Sequence, residues 1–139
     1  MKSVPAVVLA DGLRARLAAA ARAALPEEAC GILLATRDGA VLVDVHPARN
    51  AAGERAGERF VLDPRDHLAA ELVATARGLS IGAFWHSHPG RSARPSEADR
   101  RAAWPGSVHV VVGLEPGREP ELRAWRLEAG RFREAPLCG

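Results

Sequence analysis

The chain has too little cysteine to be held together by it. Its 139 residues contain only Cys30 and Cys138, with no C-x-x-C pair and no disulfide framework. That excludes a small stapled fold and a thiolate-rich structural zinc site, and a reducing cytoplasm is the expected compartment. Long apolar runs are missing as well. None approaches the ~18–20 residues a membrane span requires, so no membrane partner is expected. The amino-terminal stretch has one Lys and seven apolar or small residues broken by Pro5. Asp11 and Arg14 follow with no small-residue cleavage site, so no signal peptide is expected. Nor does one sign of charge dominate. Nineteen Lys and Arg stand against 17 Asp and Glu, for a formal net charge of +2. No long block of like charge occurs, and a nucleic-acid partner is therefore not expected. Lysine is almost absent, and the wealth of Arg and Ala reads as genome composition.

What is present is an ordinary globular balance, 47% apolar and 26% charged. The length suits one domain over residues 1–139 that needs no staple. Residues 4–9 read as a short strand. Asp11 stands where a cap would open a helix over residues 12–25, with Leu13, Leu17, Ala20, Ala24 and Leu25 on its apolar face and Pro26 ending it. "CGILLA" and "AVLVDVH" flank a glycine-containing turn and predict a β-hairpin. A polar loop over residues 47–59 leads to a brief strand at residues 60–62. A helix over residues 63–78 follows, with Asp63 as cap, Pro64 at its first position and Gly78 as stop. Leu68, Leu72, Val73 and Ala76 are its expected buried stripe. Then come a strand (79–86), a short helix capped by Ser96, a buried strand (107–113) and a closing hairpin. The fold class is α/β: a mixed sheet of six or seven strands flanked by helices.

Chemistry concentrates in "FWHSHPGRSARPSEAD", residues 84–99. Side chains on a strand repeat every second residue, so His86 and His88 share a face. Pro89 then stops the strand, which places the pair at the sheet's edge. Asp99, on the first turn of the helix that Ser96 caps, is the nearest third donor. Two His and one Asp with an open position make the donor set of a catalytic zinc. His46, His67 and His109 read as structural or solvent-facing, and Cys30 as a small buried hydrophobe. One of Phe84 and Trp85 packs in the core and the other faces a cleft.

With Pro95, Ser96 and Asp99 at their spacing after "HSHP", the chain resembles the JAMM (MPN-plus, Mov34/PAD-1) metalloproteases. "PEEACGILL" resembles their upstream glutamate segment, and Asn50 and "FVLDP" their middle region. The resemblance implies the JAMM architecture, akin to cytidine deaminases, and zinc held by His86, His88 and Asp99. It makes Glu28 the general base and acid, and Ser96 the donor to the oxyanion. It also implies a peptide or isopeptide hydrolase acting beside the C-terminal Gly-Gly of a ubiquitin-like or sulfur-carrier protein. Residues 50–59 and 90–94 are the expected walls of the substrate groove, with Arg91 and Arg94 as solvated loop arginines. A non-catalytic scaffold of the same fold is the rival reading, and retention of all five site residues speaks against it.

Overall fold

The computed structural model describes residues 3–57 and 61–139. In chain order its elements are β1 (Val7–Val8), α1 (Leu13–Ala24), β2 (Cys30–Ala35), β3 (Leu42–Ala48), α2 (Pro64–Arg77), β4 (Ser80–Pro89), α3 (Glu97–Ala102), β5 (Val108–Leu114), β6 (Glu121–Glu128), β7 (Arg131–Ala135) and β8 (Leu137–Cys138). Six of the strands form one mixed sheet in the order β3-β2-β4-β5-β6-β7. The expected first strand is shorter than its apolar run: β1 pairs only with β8, in a separate two-stranded ribbon. Within the large sheet every neighbouring pair is antiparallel except β4 with β5. Parallel neighbours cannot be joined by a hairpin, and residues 90–107, with α3 among them, make the crossover.

The expected hairpin is β2–β3, and the closing hairpin is β6–β7. Of the expected strand at residues 60–62, Phe60 lies outside the described residues, and Leu62 makes a single bridge to Asn50. Glu58 and Arg59, the end of the expected 50–59 wall, lie outside them too.

Local chemistry explains the helix ends. Asp63 accepts a hydrogen bond from Arg65 N, Pro64 opens α2, and Gly78 closes it at φ 68°. Asp11, however, does not cap α1. Leu13 N bonds back to Ala10 O, and Gly12 takes the N-cap place at φ 80°, ψ −11°. Those angles belong to the third residue of a type II turn, which leaves Asp11 one residue too early to cap.

Two apolar layers sandwich the sheet. On one face α1 packs Leu13, Leu17 and Ala21 against Leu33, Trp85, Val110 and Val112. The buried α1 stripe thus runs every fourth residue, and Ala20 and Leu25 are exposed. On the other face α2 presents Ala70 and Ala74 to Ile32 and Leu34, with Phe84 alongside. This overturns the expected α2 stripe: Leu68 is 59% and Leu72 64% exposed. Small residues let α2 lie close to the sheet, so its large ones face outward. No helix among the described residues is long and apolar enough to cross a membrane.

His109 lies on the α2 face of β5, edge-on to Phe132 at 5.3 Å and near Phe84. Ser107 Oγ gives its only proton to Trp104 O, so the His109 Nε2–H donates to Ser107 Oγ, 2.7 Å away. Burial pushes the imidazole pKa down to about 4. Between that value and the ordinary one near 6.5, the unfolded chain binds a proton that the folded chain refuses. Stability from this site is therefore complete above pH 6.5 and falls as pH drops toward 4. The loss is about 2 kcal/mol between pH 8 and pH 5. Urea unfolding of wild type and His109→Gln across that range should show the difference between the two curves shrinking by this amount in acid.

Candidate metal centre

β4 places the two histidines. Alternation turns Trp85 toward the α1 layer and Phe84, His86 and His88 toward the α2 face. The pair does not sit at the sheet's edge. β4 is a central strand, with His86 opposite Cys30 on one side and Val111 on the other, and His88 opposite Gly113. Both rings are about 1% exposed.

Ser96 opens α3 with a capping box: its Oγ accepts from Asp99 N at 3.1 Å, and Asp99 Oδ2 accepts from Ser96 N at 2.7 Å. The same Oδ2 lies 3.0 Å from His86 Nε2 and 3.1 Å from His88 Nε2, and those nitrogens are 3.1 Å apart. His88 Nδ1 is 2.8 Å from Ser92 O, a carbonyl that can only accept, so the proton is on Nδ1 and the Nε2 lone pair faces the cluster. Burial pushes the His86 pKa down and favours the neutral ring. For Asp99, burial would raise the pKa, but the imidazoles and the Ser96 N–H outweigh it and hold the carboxyl well below its usual range. Two imidazole nitrogens and a carboxylate oxygen that converge this closely form a donor set suited to a cation. The spacing fits one, because a four-coordinate zinc with bonds of about 2.0–2.1 Å separates its ligand atoms by about 3.3 Å.

Glu28 completes the group. One of its carboxylate oxygens and the three donor atoms all lie within 4.8 Å of one another, and its side chain is 1% exposed. Ser87, between the histidines, ties Glu28's segment to β4. Its Oγ accepts from Ala29 N at 2.8 Å, and its own N donates to Ala29 O at 3.0 Å. Asn50 Nδ2 donates to Glu28 O at 3.0 Å, and Glu28 N to Ala56 O. Burial pushes the Glu28 carboxyl up to about 7, against the pull of His88 and Arg91. Its Oε1 is buried with no hydrogen-bond partner among the described residues, while Oε2 accepts from Arg91 Nη2 at 2.7 Å.

The loop after His88 is pinned to the sheet. Gly90 N bonds to Leu114 O, and Trp125 Nε1 donates to Ala93 O at 3.0 Å. Gly113 makes room for it: a Cβ there would lie 2.6 Å from Ala93 N and 2.9 Å from Arg91 O. Beside the cluster a cleft of about 610 Å³ runs between α2 and α3, where Val61, Leu68, Phe84 and Trp104 meet Asp99. The cleft differs from the groove expected between the 50–59 and 90–94 loops, because α2, through His67, Leu68 and Glu71, builds one of its walls.

The five expected site residues thus converge, and among the described residues His46, His67 and His109 stay outside the donor group. Cys30 is buried with its thiol pushed up to about 12 by burial, which suits a structural residue. Arg91's contact with Glu28 and the packing role of Gly113 were missed, since neither a loop arginine nor a strand glycine carries a local sequence signal for them.

Residues 10–128 match the family described as prokaryotic homologs of the JAB domain. A Mycobacterium tuberculosis protein named CysO-cysteine peptidase is 32% identical over 133 residues, 94% of this chain and 88% of that protein. A Desulfitobacterium hafniense protein solved in solution matches with a TM-score of 0.82 at 32% identity, over 94% of this chain and 90% of its own. A JAB1/MPN domain protein of Archaeoglobus fulgidus gives a TM-score of 0.60 at 21% identity, over 97% and 99% of the two chains, a likeness of fold.

Metal analysis of the purified protein should find one zinc per chain, lost in His88→Ala and Asp99→Ala. Gly113→Ala should destabilise the fold by about 1–3 kcal/mol through overpacking. By moving Ser92 from His88 it should also weaken zinc affinity about 10–100-fold. Unchanged affinity in a folded Gly113→Ala would show that the loop does not orient His88.

Proposed function

The chain belongs to the prokaryotic JAB/JAMM metallopeptidase family, and from that premise we propose that it cleaves after the C-terminal Gly-Gly of a small ubiquitin-like sulfur carrier, releasing a terminal cysteine. The observation that carries the hydrolytic half is the buried Glu28, His86, His88 and Asp99 group with one Glu28 oxygen unpartnered. The substrate half is supported by the similarity, over 94% of this chain, to a peptidase named for CysO-cysteine. We place the reaction in a reducing cytoplasm, in keeping with two free thiols.

In this reading His86 Nε2, His88 Nε2 and Asp99 Oδ2 hold a single zinc ion. Zinc bound there supplies Lewis acidity and brings the pKa of a coordinated water toward neutrality. Glu28 takes the water's proton on its free Oε1 and returns it to the leaving amine. Ser96 spends an Oγ lone pair on the helix cap and keeps its hydroxyl proton, which it donates to the carbonyl oxygen as negative charge develops. The cleft lined by Leu68, Phe84 and Trp104 seats the carrier and its extended tail.

Incubation with a carrier ending in Gly-Gly-Cys, followed by mass spectrometry, tests the reading. Wild type should release cysteine. Glu28→Ala should retain zinc and release none. Ser96→Ala should lose about 10²-fold in kcat while remaining folded at the assay temperature. Cleavage of isopeptide-linked ubiquitin-like conjugates, with Gly-Gly-Cys left intact, would overturn it in favour of deconjugation. In the same assay Leu68→Asp and Trp104→Ala should raise KM with little change in kcat, as expected for cleft residues that contact only the carrier.

A further inference from the structure

Arg91 stands outside the donor cluster, yet its guanidinium reaches into it. The side chain is 43% exposed, whereas the Glu28 side chain it meets is 1% exposed. Only one N–H is used in that contact, from Nη2, out of the five that a guanidinium carries. Its backbone is fixed: Gly90 turns at φ 69°, Arg91 N bonds to His88 O, and the loop lies against Gly113. Arg94, three residues on, is exposed and makes no ion pair among the described residues. The arginine at the site is thus held over Glu28 with most of its donors unused.

Charge balance gives this position a meaning. With a dication in the cradle, the carboxylates of Asp99 and Glu28 already match its charge. Arg91, which shares Glu28 with that dication, then adds a positive charge in excess of the two carboxylates, beside the group that protonates the leaving amine. That group must come within about 2.6–3.2 Å of the leaving nitrogen. In an amino acid the carboxyl carbon lies only about 2.5 Å from its own nitrogen. A leaving residue that ends the chain therefore brings its α-carboxylate to the place where the Arg91 guanidinium already is.

We propose that Arg91 is the specificity residue for the leaving group, binding the free α-carboxylate of a single residue attached after Gly-Gly. The inference rests on the peptidase reading above and deepens it. A planar guanidinium can keep one N–H on Glu28 and offer a parallel pair to the incoming carboxylate. An isopeptide-linked lysine offers no carboxylate there, because its leaving nitrogen sits at the end of a four-carbon stem within a longer chain. Arg91 thus favours trimming of one terminal residue over deconjugation, through contact with the substrate and not through the fold.

The test uses the zinc-loaded protein and four tails: Gly-Gly-Cys as free acid and as C-terminal amide, each with a normal or a reduced, uncleavable scissile bond. Calorimetry on the uncleavable pair should show wild type binding the acid about 10–100-fold more tightly than the amide, the range of a charged hydrogen-bonded contact. Arg91→Ala should bind both alike, and Arg91→Lys should keep part of the preference. On the cleavable pair the same ratio should appear in kcat/KM and vanish in Arg91→Ala. An equal loss on acid and amide in Arg91→Ala, or a wild type that does not distinguish them or binds neither, overturns the proposal. Selective binding of the acid without its cleavage would instead sink the peptidase reading and leave the role of Arg91 standing.

Discussion

Because β4 and β5 run side by side in the same direction, the chain leaving His88 cannot turn straight back into the sheet. It has to rise over the α2 face, travel the length of a strand and re-enter at Val108. Apart from Glu28, the groups that close over the two imidazoles lie on that detour: Arg91, the Ser92 carbonyl, the Ser96 cap and Asp99. The register sets where the detour begins, with His88 opposite Gly113 and Pro89 opposite Leu114. Had the two strands been joined by a hairpin, His86 and His88 would still share a face, but no third donor would follow them. The parallel pair therefore supplies the site as much as the ligand residues do.

The crossover is also where the fold concentrates its electrostatic cost. Two imidazoles and two carboxylates are buried within one small volume, a load that ordinary packing does not compensate. α3, which carries Asp99, is only six residues long and too short to be stable by propensity. It is held by its capping box, in which Asp99 Oδ2 closes the helix and faces both rings at once. A single oxygen thus couples local helix stability to the donor cluster. A bound cation relieves the crowding of lone pairs and so stabilises the folded chain by mass action, which links occupancy of the site to integrity of the crossover.

The sequence made the donor set legible because its parts are local and chemically loud. H-x-H alternation, a proline after it and a Ser-x-x-Asp cap each announce themselves within a few residues, and Glu28 came from the E-x-C-G match. The strands were legible for a similar reason, being short apolar runs between turn residues. What escaped depends on distance in the chain or on competition between neighbours. Asp11 looked like a cap, but Gly12 captured the position through a turn that only the backbone reveals. Arg91 and Glu28 are 63 residues apart, and no periodicity joins them. Gly113 reads as one more residue of a buried strand, and only the loop lying on it shows why a side chain is excluded. Leu68 and Leu72 reversed expectation because the sheet took the small alanines, a choice made by how closely α2 approaches it.

That reversal bears on how recognition is divided around the cluster. A helix that buries Ala70 and Ala74 while exposing Leu68 and Leu72 gives up apolar burial that the opposite orientation would gain. Of the two outward leucines, Leu68 lies on the cleft wall that reaches Asp99, where a bound chain would cover it. Glu28 and Arg91 do not line that cleft. In the reading proposed above, an extended tail that enters along the cleft and crosses the donor atoms reaches Glu28 and Arg91 only beyond the scissile bond. On that proposal, apolar contact on the entry side would bind a carrier before and after cleavage alike, setting affinity and contributing little to selectivity at the bond. Discrimination between leaving groups would then come from the far side, where the buried Glu28 and the half-exposed Arg91 already touch.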